Sequence, residues 1–406
     1  MLTKTVQCGR HKPFLFIHIR KTAGTSLHAL LANQFPGDRV LLNAHSVSGP
    51  QEPADALFAT GHVDFDYVRR FRTRPTIFTV LREPVSLASS CYHYFLGNDE
   101  EFFRRLESDW TRKEYQSRRL FTDRARQQDM LSFLTREEEL ARPWLSNVQT
   151  RQLAGASCVD GKADDAQLLE TALKHLRQCD LVGLVERLDD TLLLVRGLMN
   201  WGRIGPLQHL NRTDRQTPDI NARCIAMLRS WNTLDLRLHE EAVKLLQSKL
   251  KSLKRDPSEN ALDLSLLPDG ANFTPDKTIR GYGWHQREFH DGNWLCWNSA
   301  TTATLFLSLA NTRPSRFRCF LSHAISPAAL RALRISMNSV PLNLQEQRVE
   351  NGWLFEGPLR RQVLQVTSQP IRITFECPVM EKPCDINPPS SDGRSLGVAL
   401  GWIRID

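Results

Sequence analysis

The sequence predicts an α/β domain, a parallel sheet flanked by helices, followed by a smaller all-β domain of sandwich type. Three observations carry that expectation. From residue 13 to about residue 250, short apolar runs alternate with segments of helical period, as strand–helix units do. Residues 256–280 are polar, contain Pro257, Pro268 and Pro275, and keep no period. Beyond them, short alternating or β-branched runs are separated by Pro, Asn and Gly. The domains are therefore expected at residues 1–254 and 281–406, joined by a linker over 255–280.

Taken in order, Phe14–Ile19 reads as a buried strand and Thr25–Gln34 as the helix after it. Ala56–Gly61 and Thr76–Leu81 read as further strands, and helix signals start at Pro84, a residue suited to the first helical position. The charge-rich stretch Glu100–Glu139 reads as a solvated helical lobe or, more sharply, as a basic groove for an anionic glycan. Leu168–Arg177 is helical, Leu181–Leu184 a short strand, and Asp189–Leu198 helical again. Trp231–Leu253 reads as one long amphipathic helix with Lys249, Lys251 and Lys254 at its end, where the helix dipole favours cations. In the second domain Thr301–Ala310, Ala332–Met337, Gln362–Val366 and Ile371–Cys377 read as sandwich strands. Trp284, Trp294, Trp297 and Trp353 there are core fillers or sugar-stacking faces.

Of 406 residues, 41% are hydrophobic and 24% charged, which excludes a disordered or collagen-like chain. No apolar run approaches the roughly 18–20 residues needed to cross a bilayer. Lys4, Arg10, His11 and Lys12 precede no apolar stretch of export type, so a cytoplasmic protein is expected. Nine scattered cysteines without a CxxC pair read as reduced thiols. A net charge of +8 suits an anionic ligand, yet no nucleic-acid motif accompanies it, and no nucleic-acid partner is expected.

Two constellations carry chemistry. In residues 14–31 a buried strand enters a turn holding Lys21, Thr22, Gly24, Thr25 and Ser26, and a helix follows. Such a turn aims backbone N–H groups and a helix N-terminus at one point, which makes an anion cradle; the plain alternative is a strand–helix turn with a capping Ser or Thr. The spelling GxxxxGK[ST] is absent, because the lysine precedes the glycine. In residues 76–95 a second strand ends in Arg82, with Ser90 on the helix beyond, a pair able to hold a second phosphate. The alternative is a surface ion pair and a helix filler.

HIRKTAGTS followed by TVLREPVSLASSCYHYF resembles the 5′-phosphosulfate loop and the 3′-phosphate motif of carbohydrate sulfotransferases. The likeness is to the branch with the heparan-sulfate 2-O- and 6-O-sulfotransferases and their bacterial relatives. GHVDF at Gly61–Phe65, NVQTRQLAG at Asn147–Gly155 and LVGLVERLDDTLLLV at Leu181–Val195 extend it, so that it covers residues 13 to about 250. The resemblance implies a P-loop-like fold and transfer of sulfuryl from 3′-phosphoadenosine 5′-phosphosulfate (PAPS) to a hydroxyl of a glycan-like acceptor, with no metal required. It implies donor contacts from Arg20, Lys21, Thr22, Ala23, Gly24, Thr25, Ser26, Arg82 and Ser90. The family often has a second arginine five residues after the first, where this chain has Leu87. The β domain resembles, more weakly, sandwich modules appended to bacterial glycosyltransferases.

In-line attack on sulfur needs donors where charge develops, and Lys21 with the amides and hydroxyls of Thr22–Ser26 is placed to supply them. It also needs a base for the acceptor hydroxyl. His62 is the candidate, because a neutral imidazole accepts a proton near physiological pH, and the resemblance supports it; the alternative is a structural strand-end histidine. Asp64 or Asp66 is expected to orient the ring, and His18 to be a core histidine or loop support. Asn147, Gln149 and Arg151 would share one face of an extended segment and meet donor or acceptor, unless the segment starts a helix. Asp64, Asn147, Gln149 and Arg151 are thus the substrate-side candidates. The remaining alternatives are a P-loop-type small-molecule kinase and a catalytically inactive glycan-binding relative.

Overall fold

The computed structural model describes residues 12–42, 44, 53, 55–106, 111–199, 220–253, 266–309, 314–359, 371–387, 390 and 392–406, without the side chains of Thr25, Ser26, Arg105, Leu106 and Leu266. Cys8, Lys254 at the expected end of the long helix, residues 255–265 of the expected linker and the expected strand Gln362–Val366 lie outside the described residues.

All four side chains of β1 (Phe14–Ile17) are buried, as a strand covered on both faces requires. It is the middle strand of a five-stranded sheet ordered β2–β3–β1–β4–β5, with β2 at Val40–Leu41, β3 at Phe58–Gly61, β4 at Thr76–Leu81 and β5 at Leu181–Leu184. β1 pairs parallel with β3 and with β4, and β4 with β5. Phe16 and Phe78 stack across the β1–β4 pair at 5.0 Å.

Helix α1 (Gly24–Ala32) follows β1, and α2 (Pro84–Leu96) follows β4. The Glu83 carboxylate accepts from Ser86 N at 2.7 Å and Pro84 occupies the first turn of α2, which fixes where that helix begins. A helical lobe comprises α3 (Glu100–Leu106), α4 (Arg112–Arg126), α5 (Met130–Arg136) and α6 (Glu138–Leu145). It is less solvated than its charge suggests, since Phe95, Phe121, Phe133 and Trp231 share a core with Leu87 and Tyr92 of α2. Then come α7 (Val148–Ala154), α8 (Ala156–Asp160), α9 (Asp165–Gln178), α10 (Leu188–Met199), α11 (Ala222–Trp231) and α12 (Thr233–Ser252). The helix expected to start at Trp231 is interrupted at Asn232. Its buried amide donates to the carbonyls of Leu145 (2.9 Å) and Leu228 (2.8 Å), and its backbone leaves helical geometry. In α12 the buried apolar residues Leu234, Leu238, Ala242 and Leu246 recur every fourth position, the stripe of a helix packed on one side.

The second region is built of antiparallel ladders, apart from one short parallel pair, Leu266–Leu267 on Ser308–Leu309. One sheet is ordered β15–β16–β12–β18–β10–β9 with β7 also on β18, the other β14–β13–β17–β11–β6 with β8 also on β11. Their ranges are β6 Leu266–Leu267, β7 Asn272–Phe273, β8 Gly281–Tyr282, β9 Glu288–His290, β10 Asn293–Trp297, β11 Thr302–Leu309 and β12 Arg316–Ala324. The rest are β13 Arg334–Met337, β14 Val340–Pro341, β15 Gln345–Val349, β16 Gly352–Pro358, β17 Ile371–Glu376 and β18 Val398–Ile405. Phe317, Cys319 and Leu321 alternate inward along β12 and meet Ile373, Phe375 and Leu400 in one core. Trp284 is a core residue whose Nε1 donates to Thr304 O at 2.9 Å, and Trp353 packs against the same core.

Two details differ from expectation. Residues 266–273 pair into these sheets through β6 and β7, so this part of the expected linker is sheet. The stretch expected to be strand from Ala332 is preceded by helix α13 (Pro327–Ala332), because Ser326 caps it and Pro327 starts it. Two compact units result: Met1–Gly24, Leu41–Val195 and Thr213–Lys254 in one, Thr25–Val40, Arg196–Arg212 and Arg255–Asp406 in the other. Among the described residues no helix is long and apolar enough to cross a membrane.

Candidate active site

Because β3, β1 and β4 are neighbours, the residues leaving their C-terminal ends are neighbours too, at the edge where open α/β sheets bind ligands. His62 follows β3, the loop His18–Ala23 follows β1, and Arg82 follows β4. Ile17 is in register with Gly61, and His18 N donates to Gly61 O at 3.1 Å.

Lys21 (φ 66°) and Ala23 (φ 62°) are both left-handed without being glycine. Such residues carry strain of order 1–3 kcal/mol each and gather at ligand clamps, where turns of this kind converge backbone N–H groups on an anion. Thr22 braces the loop: its N and Oγ1 both go to Ile19 O, at 3.3 and 2.6 Å, and it is fully buried. The Thr22 hydroxyl is therefore a structural group and not the ligand donor expected of it. Gly24 opens α1 directly over the His18 imidazole, and a Cβ there would stand 1.8 Å from His18 Nε2. Only glycine fits, and His18 is the loop support.

His62 is half-buried and stacks on His18 with ring centroids 4.4 Å apart. Its Nδ1 lies 3.0 Å from His18 O. A carbonyl only accepts, so Nδ1 carries the hydrogen and the neutral ring keeps its lone pair on Nε2. Gln152 Nε2 braces the same carbonyl at 3.0 Å and Val63 O at 2.8 Å. The carboxylates expected to orient His62 are engaged elsewhere. Asp64 accepts from Asp66 N (2.9 Å) and Ala156 N (3.0 Å), and Asp66 from Ser157 N (3.0 Å) and Oγ (2.7 Å), so both anchor the start of α8. A main-chain carbonyl orients the imidazole instead.

Arg82 joins β4 to the loop, its Nη1 donating to Lys21 O at 3.1 Å. Its own peptide is held on both sides by Gln149, which accepts from Arg82 N and donates to Arg82 O, each at 2.9 Å. Gln149 lies on α7 and not on an extended segment, and it is fully buried, so it positions Arg82 rather than meeting substrate. Asp235, fully buried on α12, accepts from Gln149 N (3.1 Å), Thr150 N (2.7 Å) and Thr150 Oγ1 (2.6 Å). Burial pushes that carboxyl up in spite of those bonds. Asn147 is likewise a corner latch, left-handed at φ 47°, its Oδ1 accepting from Leu234 N and Asp235 N. Ser90 is half-buried on α2.

Four cations, Arg20, Lys21, Arg82 and Arg118, gather around the buried Cys91. The Lys21 ammonium lies 4.2 Å over the Tyr94 ring, and the Arg118 guanidinium 5.1 Å over the same ring. Phe95 and Phe102 also face Arg118, at 4.7 and 4.8 Å. Burial, with repulsion from Arg82 and Arg118, holds Lys21 below the ordinary lysine range. Burial draws Arg118 down to about 10. Arg20, Lys21, Arg82 and Arg118 all act on the buried Cys91 thiol, whose pKa burial raises nonetheless. Arg151 stands within the field of Arg20, donates from Nη2 to Pro143 O at 2.6 Å, and keeps a buried Nε without a hydrogen-bond partner.

The sequence pattern did not single out Arg118, Tyr94, Gln152 or Asp235. Arg118 had a readable signal, since Arg118, Phe121, Thr122 and Ala125 share one helical face and all are buried. Leu87, in the place of the family's second arginine, is 2% exposed in the helical core, and Arg118 brings a guanidinium to the cluster from α4.

The ends of three adjacent parallel strands thus carry a left-handed loop, a set of cations and a histidine oriented by a main-chain carbonyl. The galactose-3-O-sulfotransferase family model matches residues 27–261, more than half of the chain and starting just after the loop, and the chain belongs to that family. It is a carbohydrate sulfotransferase family, like the heparan-sulfate branch in which the motifs suggested a relative. Over 200 residues the chain is 28% identical to mouse galactosylceramide sulfotransferase, covering 48% of this chain and 44% of that protein. The match thus spans less than half the length of that relative.

Proposed function

We propose that this chain transfers a sulfuryl group from PAPS to a hydroxyl of a galactose-containing glycan or glycolipid, with His62 as general base. One observation carries the proposal: a histidine with a directed lone pair, a strained loop opening a helix, and a set of cations leave three adjacent strands. The family and the galactosylceramide-directed relative support a galactosyl acceptor.

The left-handed loop, the Gly24 cradle and the four cations around Cys91 fit a doubly phosphorylated anion. When bound, that donor supplies an activated sulfuryl group on a phosphate leaving group. Lys21 and the amides of residues 23–26 hold the sulfate-bearing end, and Arg82 and Ser90, with Arg118, hold the second phosphate. The cations are fixed before the ligand arrives and half-removed from water, so they stabilise developing negative charge without reorganising. His62 Nε2 would take the acceptor hydroxyl proton as the new oxygen–sulfur bond forms and the bond from sulfur to the 5′-phosphate oxygen breaks, releasing adenosine 3′,5′-bisphosphate, while His18 O keeps Nδ1–H aligned and favours the resulting imidazolium.

Calorimetric titration with adenosine 3′,5′-bisphosphate against ATP, followed by radiosulfate transfer to galactosides and galactolipids, tests this. Bisphosphate should bind at least roughly tenfold more tightly, and label should appear on galactose. Preference for ATP with phosphate transfer would make the chain a kinase, and bisphosphate binding without transfer to any glycan would make it a binding relative.

A further inference from the structure

We propose that Arg287, in the β-sandwich region, is a positioning residue for the donor cradle: it caps the C-terminal end of α1, the helix whose first residue forms that cradle. This rests on the donor-binding reading above. With nine residues, α1 is shorter than the roughly 12–15 at which isolated helices become marginally stable in water. Its last carbonyls are met by the turn that follows, Leu31 O by Gln34 N (2.9 Å) and Ala32 O by Phe35 N (3.2 Å), but no glycine follows Ala32 until Gly37, so the usual left-handed glycine cap is absent and the turn must be held from outside.

Arg287 holds that turn. Its Nη2 donates to Ala32 O (2.9 Å) and Phe35 O (2.7 Å), while Nη1 reaches the carbonyls of Pro275 (3.0 Å), Asp276 (3.0 Å) and Lys277 (2.9 Å). A planar guanidinium fork can bridge five carbonyls on two segments, which an ammonium with three donors cannot. The residue is 6% exposed, so these carbonyls have no ready exchange with water. Around it, Asn33 Nδ2 donates to His285 O (3.0 Å), Ile279 N to Asn33 O (2.7 Å) and Gly37 N to Asp276 O (2.7 Å). A Cβ at Gly37 would stand 3.1 Å from both the Arg287 side chain and Trp294, so the chain leaving α1 is fitted to this clamp. Thr25–Val40 falls in the same compact unit as Arg255–Asp406. Arg287 lies beyond the family match, which ends at residue 261; the clamp comes from a part of the chain that the match leaves out.

Arg287→Met and Arg287→Lys in the full chain test this, read by amide hydrogen exchange and by titration with adenosine 3′,5′-bisphosphate. Amides of Leu27–Gln34 should exchange at least roughly tenfold faster in Arg287→Met, while those of β4 keep their protection. Bisphosphate affinity should fall roughly tenfold, turnover at saturating donor should hold, and Arg287→Lys should fall between. Unchanged α1 exchange, or acceleration spread evenly over the protein, would overturn the proposal, as would unaltered affinity in both variants. If the wild-type chain itself binds no bisphosphate, the donor reading fails, while the exchange result still decides whether Arg287 holds α1. Should Arg287→Met not fold, Asn33→Ala removes one bond at the same helix end and must show the same localised pattern, smaller.

Discussion

His62, at the end of β3, and His285, in the sandwich, each direct one ring nitrogen at a main-chain carbonyl. His62 Nδ1 lies 3.0 Å from His18 O, and His285 Nε2 lies 2.9 Å from Ser395 O. The bond fixes the tautomer in both. Their surroundings differ. His285 is 2% exposed, burial lowers its pKa, and its own peptide N–H donates to Trp297 O at 2.8 Å. His62 is half-buried and stands on the strand-end edge beside the anion cradle. A carbonyl-bound imidazole enclosed by main chain is a brace, and the one at the strand-end edge is the base of the function proposed above.

The largest expected effect separates the two. His62→Ala should lower kcat by ~10²–10⁴-fold, the range for a positioned base, with little change in bisphosphate affinity. His285→Ala should leave kcat untouched at 20 °C and lower the melting temperature, because a buried carbonyl loses its donor. A His62→Ala protein that melts earlier yet keeps most of its kcat would place both histidines in one class.

The same contrast explains what the sequence made legible. Strand ends and the residues just after them are adjacent in sequence, so the loop, His62 and Arg82 could be read from local pattern, as could the α/β alternation. The groups that aim them could not, because Gln152 and Asp235 reach their partners across 134 and 85–86 positions. The sequence leaves Asn147, Gln149 and Arg151 equally open as one face of an extended segment or as the start of a helix; left-handed Asn147 turns the chain into α7, the second of these, and Gln149 ends in the interior and not on a solvated face. Residues 266–273 looked like linker because two-residue strands leave almost no period to detect.

Buried amides give the second comparison. Gln149 and Asn298 are both fully buried and both tie down main chain. Gln149 holds the peptide of Arg82, whereas Asn298 accepts from Val398 N at 2.6 Å and donates to Ala300 O at 2.8 Å. Gln149→Leu should weaken bisphosphate binding by roughly three- to tenfold, less than Arg82→Ala. The two changes should fail to add, since one acts through the other. Asn298→Leu should reduce stability without touching affinity. Additive losses for Gln149 and Arg82 would show that the amide supports the fold and not the arginine.

The smallest effect concerns the charge of Lys21 in comparison with the guanidiniums around it. Burial is the main cause of its lowered pKa, reinforced by Arg82 and Arg118 and opposed by Cys91. An arriving phosphate adds negative charge beside the ammonium and raises that pKa, so the bound state prefers the protonated lysine. Where pH lies between the free and bound values, binding takes up a proton and affinity falls as pH rises, by at most about tenfold per pH unit. Below that window the lysine is charged in both states, and above it in neither, so the slope vanishes on both sides. Arg118, drawn down to about 10, adds a slope of its own only at the top of that range. Titrations between pH 7 and 10, in buffers of different ionisation heat, measure both the slope and the proton uptake. Lys21→Met should bind more weakly and lose the slope. If the slope persists unchanged in Lys21→Met, some other group takes up the proton, and Lys21 stays charged in the free protein despite its burial.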